Sequence, residues 1–180
     1  MSAKERILQA LQSDTPPAEP WQSRVETFAP ANLLTSFTTA WEGAGGEVLW
    51  LGEASKEAIA LALGAMAKKV VDTRDEKIDK IAPEGLWAIV EGVFGVAENG
   101  AVWIEPKERY PRALLTLAEH VVVVLKKERL VPTMAQAYRK VDFSTLSYGL
   151  FLAGPSKTAD IEQSLVIGAH GALKCTAMLV

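Results

Sequence analysis

The sequence predicts an α/β fold: a mostly parallel sheet flanked by helices. Three observations carry this reading. Short apolar segments alternate with helical ones from residue 30 onward, the pattern of strands joined by crossover helices. Val121 to Val124 form an unbroken valine run, the mark of a strand covered on both faces. The chain has 180 residues, enough for one ordinary domain and too few for two full-sized ones.

The elements follow in order. Ala3 to Gln12 places Ile7, Leu8 and Leu11 on one face, a short amphipathic helix. Ser13 to Pro20 carries Pro16, Pro17 and Pro20 and reads as an extended linker, because proline lacks the donor a helix needs. Residues 1–29 are therefore an appendage, and residues 30–180 form the domain. Pro30 to Glu42 is a helix with Leu33, Leu34, Phe37 and Trp41 on one face. Glu47 to Leu51 is a strand. Ser55 to Lys68 is a helix with Ser55 as N-cap and Ile59, Ala62, Leu63 and Met66 as its stripe. Lys69 to Val71, Trp87 to Val90 and Ala101 to Ile104 are strands, the last preceded by Asn99-Gly100, whose tolerance of positive φ signals a hairpin. Pro111 to Ala118 and Pro132 to Lys140 are helices. His120 to Leu125, Leu150 to Ala153 and Leu173 to Leu179 are strands.

Composition excludes several classes. The formal net charge is −3, from 19 basic and 22 acidic residues, which argues against nucleic-acid binding and against a polybasic membrane anchor. The longest apolar run, Ala58 to Ala67, is about half of what a bilayer span needs. Charged residues follow the first methionine at once, unlike a secretory signal, so a cytoplasmic location is expected. Cys175 is the one cysteine and the histidines are two, His120 and His170, so no metal or cluster site is expected on this chain. Gly43, Gly45 and Gly46 do not complete a dinucleotide fingerprint, since residue 48 is valine, and no Walker A sequence exists.

The densest stretch runs from Gly154 to Glu162 (GPSKTADIE) and is followed by Gly168-Ala169-His170-Gly171. In open α/β sheets ligands gather where strands end, so this exit from the Leu150 strand draws notice. One reading is a well-made strand–turn–helix start, with Ser156 or Thr158 as N-cap and Asp160 and Glu162 in the first turn. The other is a polar cradle of free backbone donors, two hydroxyls, Lys157 and two carboxylates, with His170 on the same rim. Asp160 and Glu162 lie about 200° apart on a helix, so Asp160 is assigned the capping role and Thr158 the ligand contact.

GPSKTADIE followed by GAHGA resembles the C-terminal signature of the LUD-domain family, in members of the lactate-utilisation type. Ala97-Glu98-Asn99-Gly100 is similar to that family's Ala-Glu-Thr-Gly turn, and HVVVVLKKERLVP, His120 to Pro132, to its strand and following turn. The resemblance spans roughly Pro30 to Val180. Asn99 stands where the family has threonine, and Ala172 where it has proline. The resemblance implies a fold similar to the sugar-isomerase and CoA-transferase superfamily. It also implies work beside iron–sulfur proteins that oxidise L-lactate to pyruvate, with clusters on those partners and no cofactor on this chain.

Individual residues are weighed against plainer roles. Glu91 is a base or ligand-orienting group, or the partner of a lysine. Glu98 is a proton-handling acid, a role the resemblance favours, or the start of a turn. His170 suits proton transfer near neutrality or a turn with a backbone partner. His120 reads as a satisfied structural histidine and Cys175 as a small core residue. The basic run Lys126, Lys127 and Arg129 reads as a solvated loop, or, from its place at a strand end, as a site for a phosphate or carboxylate. The expected site thus joins Glu98 and His170 as catalytic groups to Asn99, Gly100, Gly154, Ser156, Lys157, Thr158, Asp160 and Gly171 as ligand contacts. Three functions fit: a lactate-oxidation subunit binding a small carboxylate, a stand-alone enzyme of CoA-transferase or formyltetrahydrofolate cyclo-ligase type, and a non-catalytic interaction module. For the last, five tryptophans are enough for both a core and a partner face.

Overall fold

The computed structural model describes residues 3–6, 9, 30–64, 69–74, 85–106, 110–158 and 166–180. Residues 3–6 are helical; the rest of the expected first helix, except residue 9, and the proline-rich linker lie outside the described residues. The domain opens with α1 (Leu33–Gly43). Asn32 caps it, its Oδ1 accepting from the Leu34 and Thr35 amides at 2.9 and 3.2 Å. One turn apart on its inner face, Phe37 and Trp41 are fully buried. The Trp41 indole Nε1 donates to the Glu47 carbonyl at 3.0 Å, tying α1 to β1 (Glu47–Trp50). Gly46 makes this approach possible, since a Cβ there would stand 2.1 Å from that Nε1. Next comes α2 (Lys56–Leu63), capped by Ser55 as its sequence predicts.

The central sheet holds β1, β2 (Lys69–Asp72), β3 (Leu86–Glu91), β6 (His120–Leu125) and β11 (Lys174–Leu179). Its order is β1-β11-β6-β3-β2, and every pairing is parallel. The valine run sits in its middle strand and sends alternate side chains to opposite faces. Val121, Val123 and Leu125 meet Phe37, Trp41 and Leu114, while Val122 and Val124 meet Ile59 and Leu63 of α2. Both faces of β6 are therefore dry, which is why the run tolerates no polar alternation.

The chain does not make one sheet only. A second, mixed sheet of order β7-β4-β5-β8 joins β4 (Phe94–Val96), β5 (Val102–Ile104), β7 (Leu130–Val131) and β8 (Leu150–Leu152). In it β5 pairs antiparallel with β4 and β8. The segment from Leu150, expected beside the parallel strands, belongs here. Val102 and Ile104 face the central core, and Phe94, Val96 and Trp103 face the second core under α4 (Met134–Lys140). The Pro111-to-Ala118 helix is reduced to one turn, α3 (Leu114–Leu117). Finally, β9 (Lys157–Thr158) and β10 (Val166–Ile167) form a two-stranded antiparallel ladder. That ladder overturns the helix start expected at Ser156 or Thr158, because Thr158 is a strand residue opposite Val166. Asp160 and Glu162 lie outside the described residues. Among the described residues no helix is long and apolar enough to cross a membrane.

Candidate functional site

The first hollow, of about 300 Å³, lies at the amino end of the central strands and gathers much of the predicted cradle. Ser156, Lys157, His170, Gly171 and Gly154 line it, with Tyr148 opposite. Its backbone donors differ from expectation. The Ser156 amide donates to the Ala172 carbonyl at 3.0 Å, and the Gly168 amide to the Ser156 carbonyl at 2.9 Å. The Lys157 ammonium donates to the Ala44 carbonyl at the end of α1, a cation on the negative end of a helix dipole. Gly154 has φ +74° and packs against the same carbonyl, where a Cβ would come within 2.8 Å. The strand exit is thus docked on α1, and the free amides of an anion cradle are absent at Ser156 and Gly168. What this hollow offers is the Ser156 hydroxyl and the exposed His170 ring. Cys175 closes its floor at 1 % exposure, and burial pushes the thiol up to about 12, which keeps it protonated and inert.

Glu98, Asn99 and Gly100 do not line that hollow. They form the β4–β5 turn, in which the Ala101 amide donates to Asn99 Oδ1 at 3.1 Å. Gly100 has φ +71° and lies against the α1 backbone, where a Cβ would sit 2.5 Å from the Trp41 nitrogen. The Met134 amide donates to Glu98 Oε2 at 2.8 Å, and the Gln136 amide to the N-cap Thr133 at 3.2 Å. Together they satisfy two of the orphan donors at the start of α4.

His120 opens β6 at 4 % exposure, its ring 4.0 Å from that of Trp87. Nε2 lies 2.7 Å from Thr176 Oγ1, whereas Nδ1 has no partner among the described residues. The structural role expected of it holds, with only one ring nitrogen satisfied.

A second hollow, of about 420 Å³, sits at the opposite edge, where β2, β3 and β6 end. Thr73 and Arg74 follow β2, Glu91 ends β3, Arg129 follows β6, and Tyr110 and Glu105 complete the wall. Arg74 is braced: Nε and Nη2 donate to both oxygens of Asp72, and Nη1 donates to the Ala54 carbonyl at 3.0 Å. Burial works against the Asp72 charge, but the bonds and charge of Arg74 outweigh it and hold the carboxyl below its usual range. Glu105 accepts from the Trp103 indole at 2.6 Å. Arg129 and Glu91 form a looser pair at 3.5 Å, with side chains 44 % and 55 % exposed. Glu91 therefore pairs with an arginine, where the plainer reading expected a lysine. Tyr110 is buried, and that burial, with Tyr148 nearby, raises its phenol well above the ordinary value, so it stays a donor.

Sequence reasoning weighed Glu91 and the basic run singly and passed over Thr73, Arg74 and Tyr110. The signal available was positional: residues just past three parallel strands converge on one edge. Among the described residues no group of three or more His, Cys, Asp or Glu is placed to hold a metal ion.

Comparison with known proteins places this geometry in a family. The chain is 32% identical over 114 residues to Lactate utilization protein C of Bacillus pumilus, covering 60% of this chain and 47% of that protein. It is 36% identical over 90 residues to Lactate utilization protein C of Shouchella clausii, covering 47% of this chain and 39% of that one. The Escherichia coli protein named Uncharacterized protein YkgG is 30% identical over 98 residues, 51% and 42% of the two chains. The matches thus span about half, or less, of those relatives. A DUF162 family protein from Deinococcus radiodurans shares the fold, with a TM-score of 0.56 at 15% identity over 82% of this chain and 96% of that one. The LUD domain model matches residues 26–180. The chain belongs to the LUD domain family.

Proposed function

We propose that this protein serves L-lactate utilisation, binding a small carboxylate as one member of a set that oxidises L-lactate to pyruvate. The observation that carries the reading is the agreement between the LUD match over residues 26–180 and the relatives bearing the name Lactate utilization protein C. Electron transfer is assigned to iron–sulfur partners, since one cysteine cannot supply the thiolates of a cluster. The fold supports a ligand-binding role: polar side chains line hollows at both ends of the parallel strands. At the amino-end hollow, His170 and Ser156 are the groups proposed to meet a ligand. Glu98, Asn99 and Gly100 serve the turn and the α4 cap in this reading.

The test is growth. Deleting the gene in its source organism abolishes growth on L-lactate as sole carbon source and leaves growth on pyruvate intact. Equal growth on both, in a strain with no other L-lactate dehydrogenase, refutes the assignment.

A further inference from the structure

The hollow at the carboxyl end of the central sheet differs from the predicted cradle in kind. Its wall presents two cations, Arg74 and Arg129, and two acids, Glu91 and Glu105. A bare anion is best served by an excess of positive charge. Arg129 and Glu91 side by side offer a cation and an acceptor together, which suits a ligand carrying both an anionic group and a hydroxyl donor.

The two arginines are not equivalent. Arg74 is locked onto Asp72 and the Ala54 carbonyl, so its charge is largely answered within the protein. Arg129 is paired with Glu91 at 3.5 Å in a half-exposed setting, where an ion pair gains little. A ligand carboxylate can take the guanidinium in a two-point contact and leave the Glu91 oxygens as acceptors beside it. Tyr110, held protonated, supplies a donor from the buried side. Thr73 donates its hydroxyl to the Ile89 carbonyl at 3.0 Å and retains acceptor lone pairs.

We propose that this hollow binds a short 2-hydroxy carboxylate, with Arg129 holding the carboxylate and Glu91 accepting the hydrogen bond of the hydroxyl. The choice of a hydroxy acid rests on the lactate reading above; the choice of hollow rests on the geometry alone. At about 420 Å³ the space exceeds a three-carbon acid, so the ligand enters with water or carries a longer chain toward Val93 and Glu105. There a third hollow of about 560 Å³ adjoins, lined by Lys140 and Tyr148 among others.

Calorimetric titration of the full chain with L-lactate, and with propionate, which lacks the hydroxyl, tests this. L-lactate binds more tightly than propionate. Arg129→Gln weakens both by about tenfold or more, the usual loss for a charged hydrogen-bonding group. Glu91→Ala abolishes the preference for L-lactate and leaves propionate as tight or tighter, because Arg129 is released. Glu47→Gln, an exposed position on the far edge strand β1 that lines no part of this hollow, changes neither. Both substituted positions of the pair are half-exposed, so the variants keep the fold, which a thermal melt verifies. No L-lactate binding, an Arg129→Gln variant that binds unchanged, a preference that survives Glu91→Ala, or a loss caused by Glu47→Gln each overturns the proposal. The growth test fails separately. Normal growth on L-lactate with the titration intact removes the pathway and keeps the hollow, and the reverse pair of results removes only the hollow.

Discussion

His120 sits where burial and titration oppose each other. Desolvation first, and the neighbouring Lys174 charge second, push its imidazole down to about 4 from an ordinary 6.5. The folded state therefore holds the neutral ring, while the unfolded chain takes up a proton below pH 6.5. The resulting stability is complete above that pH and is lost as pH falls toward 4, on the order of 3 kcal/mol in all. Two measurements check this. The His120 ring signals in NMR stay in the neutral position until below pH 5, and His120→Gln flattens the rise of unfolding free energy between pH 4 and 6.5. A ring that titrates at 6.5 would remove the argument. The residue's burial was legible in the sequence because it opens the valine strand. Its missing second partner was not, since Thr176 and Trp87 come from strands 56 and 33 positions away.

At the scale of elements, caps and turns decide where helices begin. The Glu98 carboxylate closes α4 across a loop, beside the local N-cap Thr133. Glu98→Ala should lower stability by about 1 kcal/mol in urea unfolding, the worth of one cap, while Glu98→Asp recovers part of it only if the shorter arm still reaches. A cost near zero would return Glu98 to the list of groups free for chemistry. Gly100 shows the stricter case. Its φ of +71° and the Trp41 backbone behind it leave no room for a side chain, so Gly100→Ala should cost more than about 1 kcal/mol. The turn itself was readable from Asn99-Gly100. Its first strand, Phe94–Val96, was not, because three residues split by Gly95 carry no alternation to read. The β9–β10 ladder escaped for the same reason: Ser-Lys-Thr-Ala-Asp is good N-cap chemistry, and only pairing with Val166 and Ile167 decides for strand.

Across the whole molecule, the layer order explains why the fold was easier to foresee than its site. Alternating apolar segments announce parallel strands and their covers, so the central sheet and the helices α1, α2 and α4 could be placed from sequence. A site at strand ends depends on which strands are neighbours, and the order β1-β11-β6-β3-β2 brings residues 73, 91 and 129 together without any shared motif. The same order sets the stability of the two edges. β3, β6 and β11 lie inside the sheet with dry faces, whereas β9 and β10 pair over two residues each and Lys157, Val166 and Ile167 are exposed. Hydrogen exchange should therefore resolve two tiers. Amides of Val121 to Leu125 and of Cys175 to Met178 exchange only with global unfolding, and those of the β9–β10 ladder exchange far earlier. The hollow beside Ser156 then has a wall that opens on its own, while the one beside Arg129 is built on strand ends that do not. Equal protection of both groups would show that the ladder is welded to the sheet, and would remove the rigidity argument for preferring the carboxyl edge.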